Sequence, residues 1–514
     1  MGAKAAGLIA LDDDAALALR ADLDDWTIDA IELLVGDVAV RAMAREQLLP
    51  ALVAARASDS RLALVTRLFS LGDTLTRAEV GRALPSLGVG RAMTAGLIEV
   101  AGTLPGDDAR ALVDLRPFSV SAAQGDLTWW VASDQGEAIT GRQLTDAHVL
   151  GIGGASVTLA SIAVRHHVAR VLDLGTGSGI QALHASLHAD VVVATDISDR
   201  ALAFAAFNQA LNAPPAQWDL RKGSLLEPVK GELFDLVISN PPFVITPAGA
   251  PSFEYRDGGM GGDDLVATLI RDVGTVLAPG GIAQMLGNWE IVEGQRWESR
   301  IEEWLDAAQV PLDAWFIQRD VLDIAEYAET WLRDAGVTPE RGREAFEAAY
   351  EAYLRDFVAR GVEGVGFGLI TLRRPVDGVV TLRRLEEHEG ALVEPLGPHL
   401  SEVIAAHDWL AARDDDAVLA ERWTVARDVT RETYGRPTSP DPEHILIRQG
   451  GGLGRAVKAD TALAGFVSTC DGELTAAQIC GALAALLDVP TQTMRDGIAA
   501  AVRELARDGM LVRG

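Results

Sequence analysis

The chain has 514 residues, a length that predicts three or four domains. Apolar residues make up 48% and charged residues 23%, a globular mix that excludes long-range disorder. Acidic residues number 74 against 45 basic ones, for a net charge of −29, which argues against tight non-specific binding to a phosphate backbone while leaving room for a local basic patch.

At the start, Met1–Ala6 is followed by Asp12-Asp13-Asp14, which interrupts the apolar core of a signal peptide. Ala6 also stands where a myristoylation pattern needs Ser or Thr. No uncharged apolar run reaches the roughly 18 residues of a membrane span, so the expectation is a soluble, cytoplasmic chain. Residues 12–57 have helical spacing, with Ile31, Leu34, Val35 and Val38 on one face. A helix over Arg61–Phe69 follows, then one over Arg77–Leu84, capped by Thr76 with Glu79 completing a capping box. Gly90–Ile98 predicts a third short helix, and Ala111–Leu115 and Leu127–Ala132 predict strands. Three helices and a hairpin make a winged-helix pattern. The third helix carries Arg91 and no Lys, Asn or Gln to read bases, so the pattern reads as structural or protein-docking. The pair Trp129-Trp130 reads as core packing or a domain contact.

From Val171 onward short apolar runs alternate with helices. Strands are predicted at Val171–Leu174, Val191–Thr195, Phe234–Ser239, Ile282–Leu286, Ala314–Gln318 and Gly366–Leu372. Helices are predicted at Gly179–Leu187, Asp199–Leu211, Asp263–Leu277 and Ser299–Asp306, with further helices inserted at 322–361. This alternation predicts an α/β, doubly wound parallel sheet. The Pro-rich Gly435–Pro442 reads as a linker or long turn, Ile445–Ile447 as a strand, and Gly450–Gly454 as a plain glycine loop lacking a phosphate-loop ending. Residues 460–514 read as a second winged-helix-like module holding Cys470 and Cys480 as buried free thiols. The expected domains are 1–117, helical and winged-helix-like; 118–375, the sheet domain with its insertion; 376–459, a mixed α/β accessory region; and 460–514.

Two segments carry chemistry. In Val171-Leu172-Asp173-Leu174-Gly175-Thr176-Gly177-Ser178-Gly179 a strand runs into a glycine turn that opens a helix. The glycines let the backbone turn sharply and approach a ligand, and the helix start offers free N–H groups. Asp196, ending the next strand beside Ile197, is placed to accept both hydroxyls of a ribose. Together these point to an adenine-nucleoside cofactor. The second segment is Asn240-Pro241-Pro242-Phe243 at the end of a strand, where open α/β sheets bind ligands. An amide or exocyclic amino nitrogen is a poor nucleophile and needs orientation more than a strong base. The Asn240 side-chain oxygen and the Pro241 carbonyl can each accept one N–H, with Pro242 stiffening the backbone and Phe243 offering a face for a planar group. His184 and His188 are spaced i, i+4 without a third ligand, so no metal site is expected.

The Gly-x-Gly-x-Gly turn with Asp173 two residues ahead, followed by Asn-Pro-Pro-Phe, resembles the class I S-adenosylmethionine-dependent methyltransferases that modify nitrogen. The continuation Val244-Ile245-Thr246-Pro247 and the stretch Arg256–Asp264 resemble the glutamine N5 methyltransferases of translation termination factors. The small-domain ribosomal RNA methyltransferases share the core but continue Asn-Pro-Pro-Phe-His, and the architecture looks like multidomain actinobacterial methyltransferases. The resemblance implies a seven-stranded sheet with its last strand antiparallel. It implies S-adenosylmethionine as cofactor, held by Asp173, Gly175, Thr176, Gly177, Gly179, Asp196, Ile197, Ser224, Leu225 and Asn240. It implies catalytic roles for Asn240, Pro241, Pro242 and Phe243. Ser224 departs from the acidic residue many relatives have near the adenine, and Phe243 from the more usual Tyr. Gly154 and Thr158 are candidate cofactor contacts in the segment that closes over it. Charge favours a protein side-chain amide over an RNA or DNA base as acceptor, with a small molecule third; oligomeric state is left open. A binding or regulatory protein built on a retired methyltransferase core is the contrasting class.

Overall fold

A computed structural model describes residues 9–122, 125–247, 256–438 and 442–514. Met1–Ala6 and the part of the Gly435–Pro442 turn at 439–441 lie outside the described residues. The chain divides into two compact units: one takes Met1–Leu159, His167–Leu312 and Asp320–Gly378, the other Ala160–His166, Asp313–Arg319 and Val379–Gly514.

The first unit opens with four helices, Asp13–Leu23, Ile28–Val35, Asp37–Met43 and Leu49–Arg56, across the stretch predicted helical. Thr76 caps Arg77–Ala83 as expected: its hydroxyl accepts the Glu79 N–H at 3.2 Å and the Glu79 carboxylate accepts the Thr76 N–H at 2.7 Å. The third helix is Gly88–Thr94 and stops earlier than predicted. Gly96 follows with φ +75°, a turn that ends the helix and frees Ile98–Val100 to be a strand. That strand joins Leu75–Thr76 and Asp108–Ala111 in a small antiparallel sheet. The predicted strand Leu127–Ala132 falls inside Gly125–Ser133, whereas Ala111–Leu115 straddles the end of Asp108–Ala111 and the start of Asp114–Ala122; the latter pairs with Gly125–Ser133 in a second, longer hairpin that crosses residue 117. Three residues of strand are too few for a period-2 signal, which is why the first sheet was not read.

The sheet at the heart of this unit holds β1 (Val168–Leu174), β2 (Ala189–Asp196), β3 (Gln217–Lys222), β4 (Phe234–Ser239), β5 (Leu277–Val292) and β6 (Val362–Arg373). Their order is β3-β2-β1-β4-β5-β6; the first five are parallel and β6 runs antiparallel to β5. Six strands of the sheet fall in this unit, with the antiparallel strand last among them. β3 was missed because Gln-Trp-Asp-Leu-Arg-Lys has little of the apolar run that marks the central strands. Strand order reverses between β1 and β4, which opens a crevice at their carboxyl ends. Leu174 and Ser239 are register partners there, and the Ser239 hydroxyl donates to the Leu174 carbonyl at 2.8 Å. Helices α1 (Ile180–Ala185), α2 (Asp199–Asn212) and α3 (Asp264–Val273) connect the strands; α4 (Ile324–Asp334) and α5 (Pro339–Ala359) form the predicted insertion.

The hairpin is fastened to α2 by two asparagines. Asn208, fully buried, accepts the Ala132 N–H at 2.8 Å and donates to the Ala132 carbonyl at 2.9 Å and the Ser178 carbonyl at 2.8 Å. Asn212 exchanges the same pair of bonds with Trp130, at 2.9 Å each. Trp130 also donates to the Trp26 carbonyl at 3.0 Å and Trp129 meets the His184 ring edge-on, so this pair is core, as read. Asn208→Ala strips partners from three buried backbone groups and is expected to cost roughly 2–4 kcal/mol. Denaturant unfolding measures it, and a loss under about 0.5 kcal/mol, the range of an inert surface change, would contradict the role.

In the second unit Asp313–Arg319, the first part of the strand Asp313–Asp323, pairs through Ala314–Gln318 in parallel with Arg383–Glu387. Arg422–Val425 lies between Asp471–Thr475 and Leu511–Arg513, so the C-terminal module reaches back before the expected boundary at 460. Trp423, Phe466, Ile479, Cys480 and Val502 pack its core. Cys470 and Cys480 are both buried free thiols, and burial pushes Cys470 up to about 12. No described helix is long and apolar enough to cross a membrane.

Candidate active site

The glycine turn after β1 is built on backbone that side chains avoid. Gly175, Gly177 and Gly179 have φ of +75°, +56° and +85°. A Cβ at Gly175 or Gly177 would meet nothing within 4 Å, so both face open space; at Gly179 it would come within 3.2 Å of Ala205 in α2. The first two glycines thus serve close approach to a ligand and the third serves helix packing.

Asp173 lies beneath this turn. Its carboxylate accepts the Thr176 hydroxyl at 2.6 Å and the Ala182 N–H at 3.0 Å, tying the turn to the first residues of α1. Burial pushes the carboxyl up to about 7, against the pull of those bonds, with neighbouring Asp196 adding to the rise. The unfolded carboxyl ionises near 4, so the folded chain holds an extra proton between there and about 7. Its stabilising share is whole below that window and is lost as pH rises through it. Melting temperature is expected to fall from pH 5 to pH 8, and Asp173→Asn, whose side-chain oxygen can still accept both bonds, is expected to flatten that slope. An equal slope in both proteins would contradict the assignment.

Asp196 ends β2 on the other side of the turn. One carboxylate oxygen accepts the Gly177 N–H at 2.9 Å and the other accepts the Ser198 N–H at 2.9 Å. Burial raises its pKa, and these backbone donors counter it. Leu225 adopts φ +46°, a strained conformation for a branched side chain and one that clusters at functional sites.

These residues surround a cavity of about 980 Å³. Gly175, Thr176, Gly177, Asp196, Ile197, Ser224, Leu225, Asn240, Pro241 and Pro242 all line it. Asp173, Gly179 and Phe243 do not: the first two stand behind the wall, and Phe243 packs its ring edge-on against Phe367, 6.4 Å between centroids. Phe243 thereby helps support the loop through Phe367. Gly154 lines the cavity and Thr158 does not. The side-chain oxygens of Asn240, Thr195 and Gln181 are buried without a hydrogen-bond partner among the described residues, and all three residues line the cavity. A buried unpaired acceptor is costly unless something arrives to satisfy it.

Sequence reasoning missed part of the wall. Asp114, Arg116 and Phe118 reach the cavity from the hairpin, and Asp257, Gly258 and Met260 reach it from the loop before α3. The hairpin gave no motif to read. The second loop was visible as a glycine-rich stretch, and its end is fixed by Asp263, which takes two bonds from Arg300 at 2.6 and 2.5 Å and one from the Glu290 N–H at 2.8 Å. His184 rests against Phe118 and Trp129, and no group of three or more metal-ligating side chains is found among the described residues.

Residues 152–301 match the family model described as Methyltransferase small domain, and residues 24–112 match a Domain of unknown function (DUF7059). A ribosomal protein uL3 glutamine methyltransferase of Bradyrhizobium diazoefficiens is 32% identical over 193 residues, covering 35% of this chain and 59% of the relative. A release factor glutamine methyltransferase of Gloeobacter violaceus is 36% identical over 138 residues, covering 25% of this chain and 47% of its own. The chain thus spans about half the length of the curated relatives it matches. A solved methyltransferase from Pyrococcus furiosus aligns with 46% of this chain and 92% of its own, at 15% identity and a TM-score of 0.27. The glycine turn, Asp196 and Asn240–Phe243 all fall within the segment that matches the methyltransferase small domain.

Proposed function

We propose that this chain is an S-adenosylmethionine-dependent N-methyltransferase whose acceptor is a protein side-chain amide, a glutamine. The observation that carries the reading is the unpaired, buried Asn240 oxygen in the wall of the cavity that Gly175, Gly177 and Asp196 also line. The residues present fit the cofactor. The open space at Gly175 and Gly177 admits a close ligand, Asp196 would supply acceptors for two ribose hydroxyls, and Ile197, Ser224 and Leu225, in the wall of the same cavity, would border the adenine. When bound, S-adenosylmethionine supplies an electrophilic methyl on a sulfonium. The chain's part is orientation. Asn240 accepts one N–H of the planar amide and the Pro241 carbonyl the other, which turns the nitrogen lone pair toward the methyl. Pro242 holds the backbone in that aim.

The acceptor class rests on charge and on likeness. Over residues 161–290 Asp and Glu exceed Arg and Lys by six, so no dense basic track lies along the methyltransferase segment. Relatives at 32% and 36% identity carry the names ribosomal protein uL3 and release factor glutamine methyltransferase. Residues 61–111 follow the helix–strand–helix–helix–strand–strand order of a winged helix, and we read that module as protein-docking. Its third helix places Arg91 against the carbonyls of Leu87 and Ser86, so the guanidinium is engaged with its own loop. The C-terminal module is assigned the same role, in a cytoplasmic protein. Calorimetry with S-adenosylhomocysteine, and binding of bulk RNA and DNA at low and physiological salt, test the reading. Saturable cofactor binding with weak nucleic-acid binding is expected; tight RNA binding with a steep salt slope would favour a nucleic-acid acceptor.

A further inference from the structure

The loop that carries Asn240 packs against a part of the molecule outside the matched methyltransferase segment. Ile245, fully buried, belongs to a separate hydrophobic cluster whose other members, Tyr327, Ala328, Leu332, Tyr353, Phe357, Val362 and Val365, come from α4, α5 and β6. The backbone N–H of Ile245 donates to the Tyr327 hydroxyl at 2.8 Å, and the Asn288 side chain donates to the same oxygen at 3.3 Å. Tyr327 is fully buried, stacks on Phe367 at 5.9 Å and meets Phe357 edge-on at 5.5 Å. Phe243 packs on that same Phe367. Beyond Ile245, Thr246 bonds to the carboxylate of Asp257, a cavity-lining residue, and Arg256 bonds to Asp334 at the end of α4 at 2.8 Å.

Both loops that flank the cavity near Asn240 are thus fastened to the inserted helices. We propose that the α4–α5 insertion is a clamp that sets the position of the acceptor loop Asn240–Pro247, with Tyr327 as its positioning residue. Tyr327 touches neither ligand and acts through Ile245 and Phe367. The clamp matters because the Asn-Pro-Pro acceptors work by aim, and an ångström of drift in such a group can cost orders of magnitude in rate. The clamp's effect on turnover rests on the methyl-transfer reading, whereas its hold on the loop does not.

Tyr327→Phe removes one oxygen and keeps the ring stack, so the fold is retained. In the full chain, hydrogen exchange at the Ile245 amide is expected to speed up about tenfold, because the donor loses its buried acceptor. Methyl transfer from labelled S-adenosylmethionine to bulk extract protein is expected to slow about tenfold at saturating cofactor, with S-adenosylhomocysteine affinity within about twofold of wild type. Phe367→Leu, which removes the shared ring support and keeps the hydroxyl, is expected to show the same split between turnover and affinity. Unchanged exchange at Ile245 would overturn the clamp. Faster exchange with wild-type turnover would overturn its positioning role. If wild-type protein binds no S-adenosylhomocysteine and transfers no label, the methyl-transfer reading fails, and the exchange result still decides whether the insertion holds the loop.

Discussion

Asn240→Ala is expected to lower turnover by roughly two to three decades while leaving S-adenosylhomocysteine affinity within about threefold. The asymmetry follows from where the side chain stands. Its oxygen is buried in the cavity wall with no partner among the described residues, while the glycine turn and Asp196 line another part of the same cavity. What disappears is one of two acceptors that aim an amide nitrogen, a contact that gains strength as the lone pair commits to the methyl. Removing a comparable preorganised hydrogen-bond partner from other active sites costs about 3–4 kcal/mol, which sets the scale. Parallel calorimetry and label transfer on the same preparation check both halves. Wild-type turnover in the variant would remove Asn240 from the acceptor site, and a matched loss of affinity would make it a cofactor ligand instead.

Asp196→Ala is expected to show the reverse pattern in binding, with S-adenosylhomocysteine affinity falling ten- to a hundredfold. A charged hydrogen bond contributes roughly 1.5–3 kcal/mol, which converts to that range. The carboxylate already accepts N–H groups from Gly177 and Ser198, so it also shapes the turn that faces the cavity. Asp196→Asn separates the two effects, since its single oxygen can keep one backbone bond while the charge is lost. An intermediate loss for Asn is expected, and calorimetry showing unchanged affinity in both variants would take Asp196 out of the ribose site.

The parts of this account that were legible in the sequence share one property: the signal is local. β1, β2 and β4 announce themselves as short apolar runs, and the turn from Gly175 to Gly179 and the Asn240–Phe243 segment follow directly on two of them. Their convergence needed only the rule that ligands sit where strand order reverses. What was not legible depends on partners far apart in the chain. The contact of Phe243 with Phe367, 124 positions later, leaves no local trace in the sequence. Nothing local in the sequence singles out Tyr327, whose hydroxyl accepts an N–H 82 residues away. The bonds that tie the Asp114–Ser133 hairpin to Asn208 and Asn212 are tertiary contacts that leave no period in the sequence. Strand β3 was lost for the opposite reason, since its sequence is mostly polar.

The central claim is nitrogen methylation of a protein amide, and fractionated label transfer tests it most directly. Purified protein is incubated with methyl-labelled S-adenosylmethionine and a cell extract, and the products are separated into protein, RNA and small molecules. The account predicts label in a discrete protein band, absent with Asn240→Ala and lost when one glutamine of that band is replaced. Label recovered in RNA, or a protein band that keeps its label after every glutamine in the modified peptide is replaced, would contradict it.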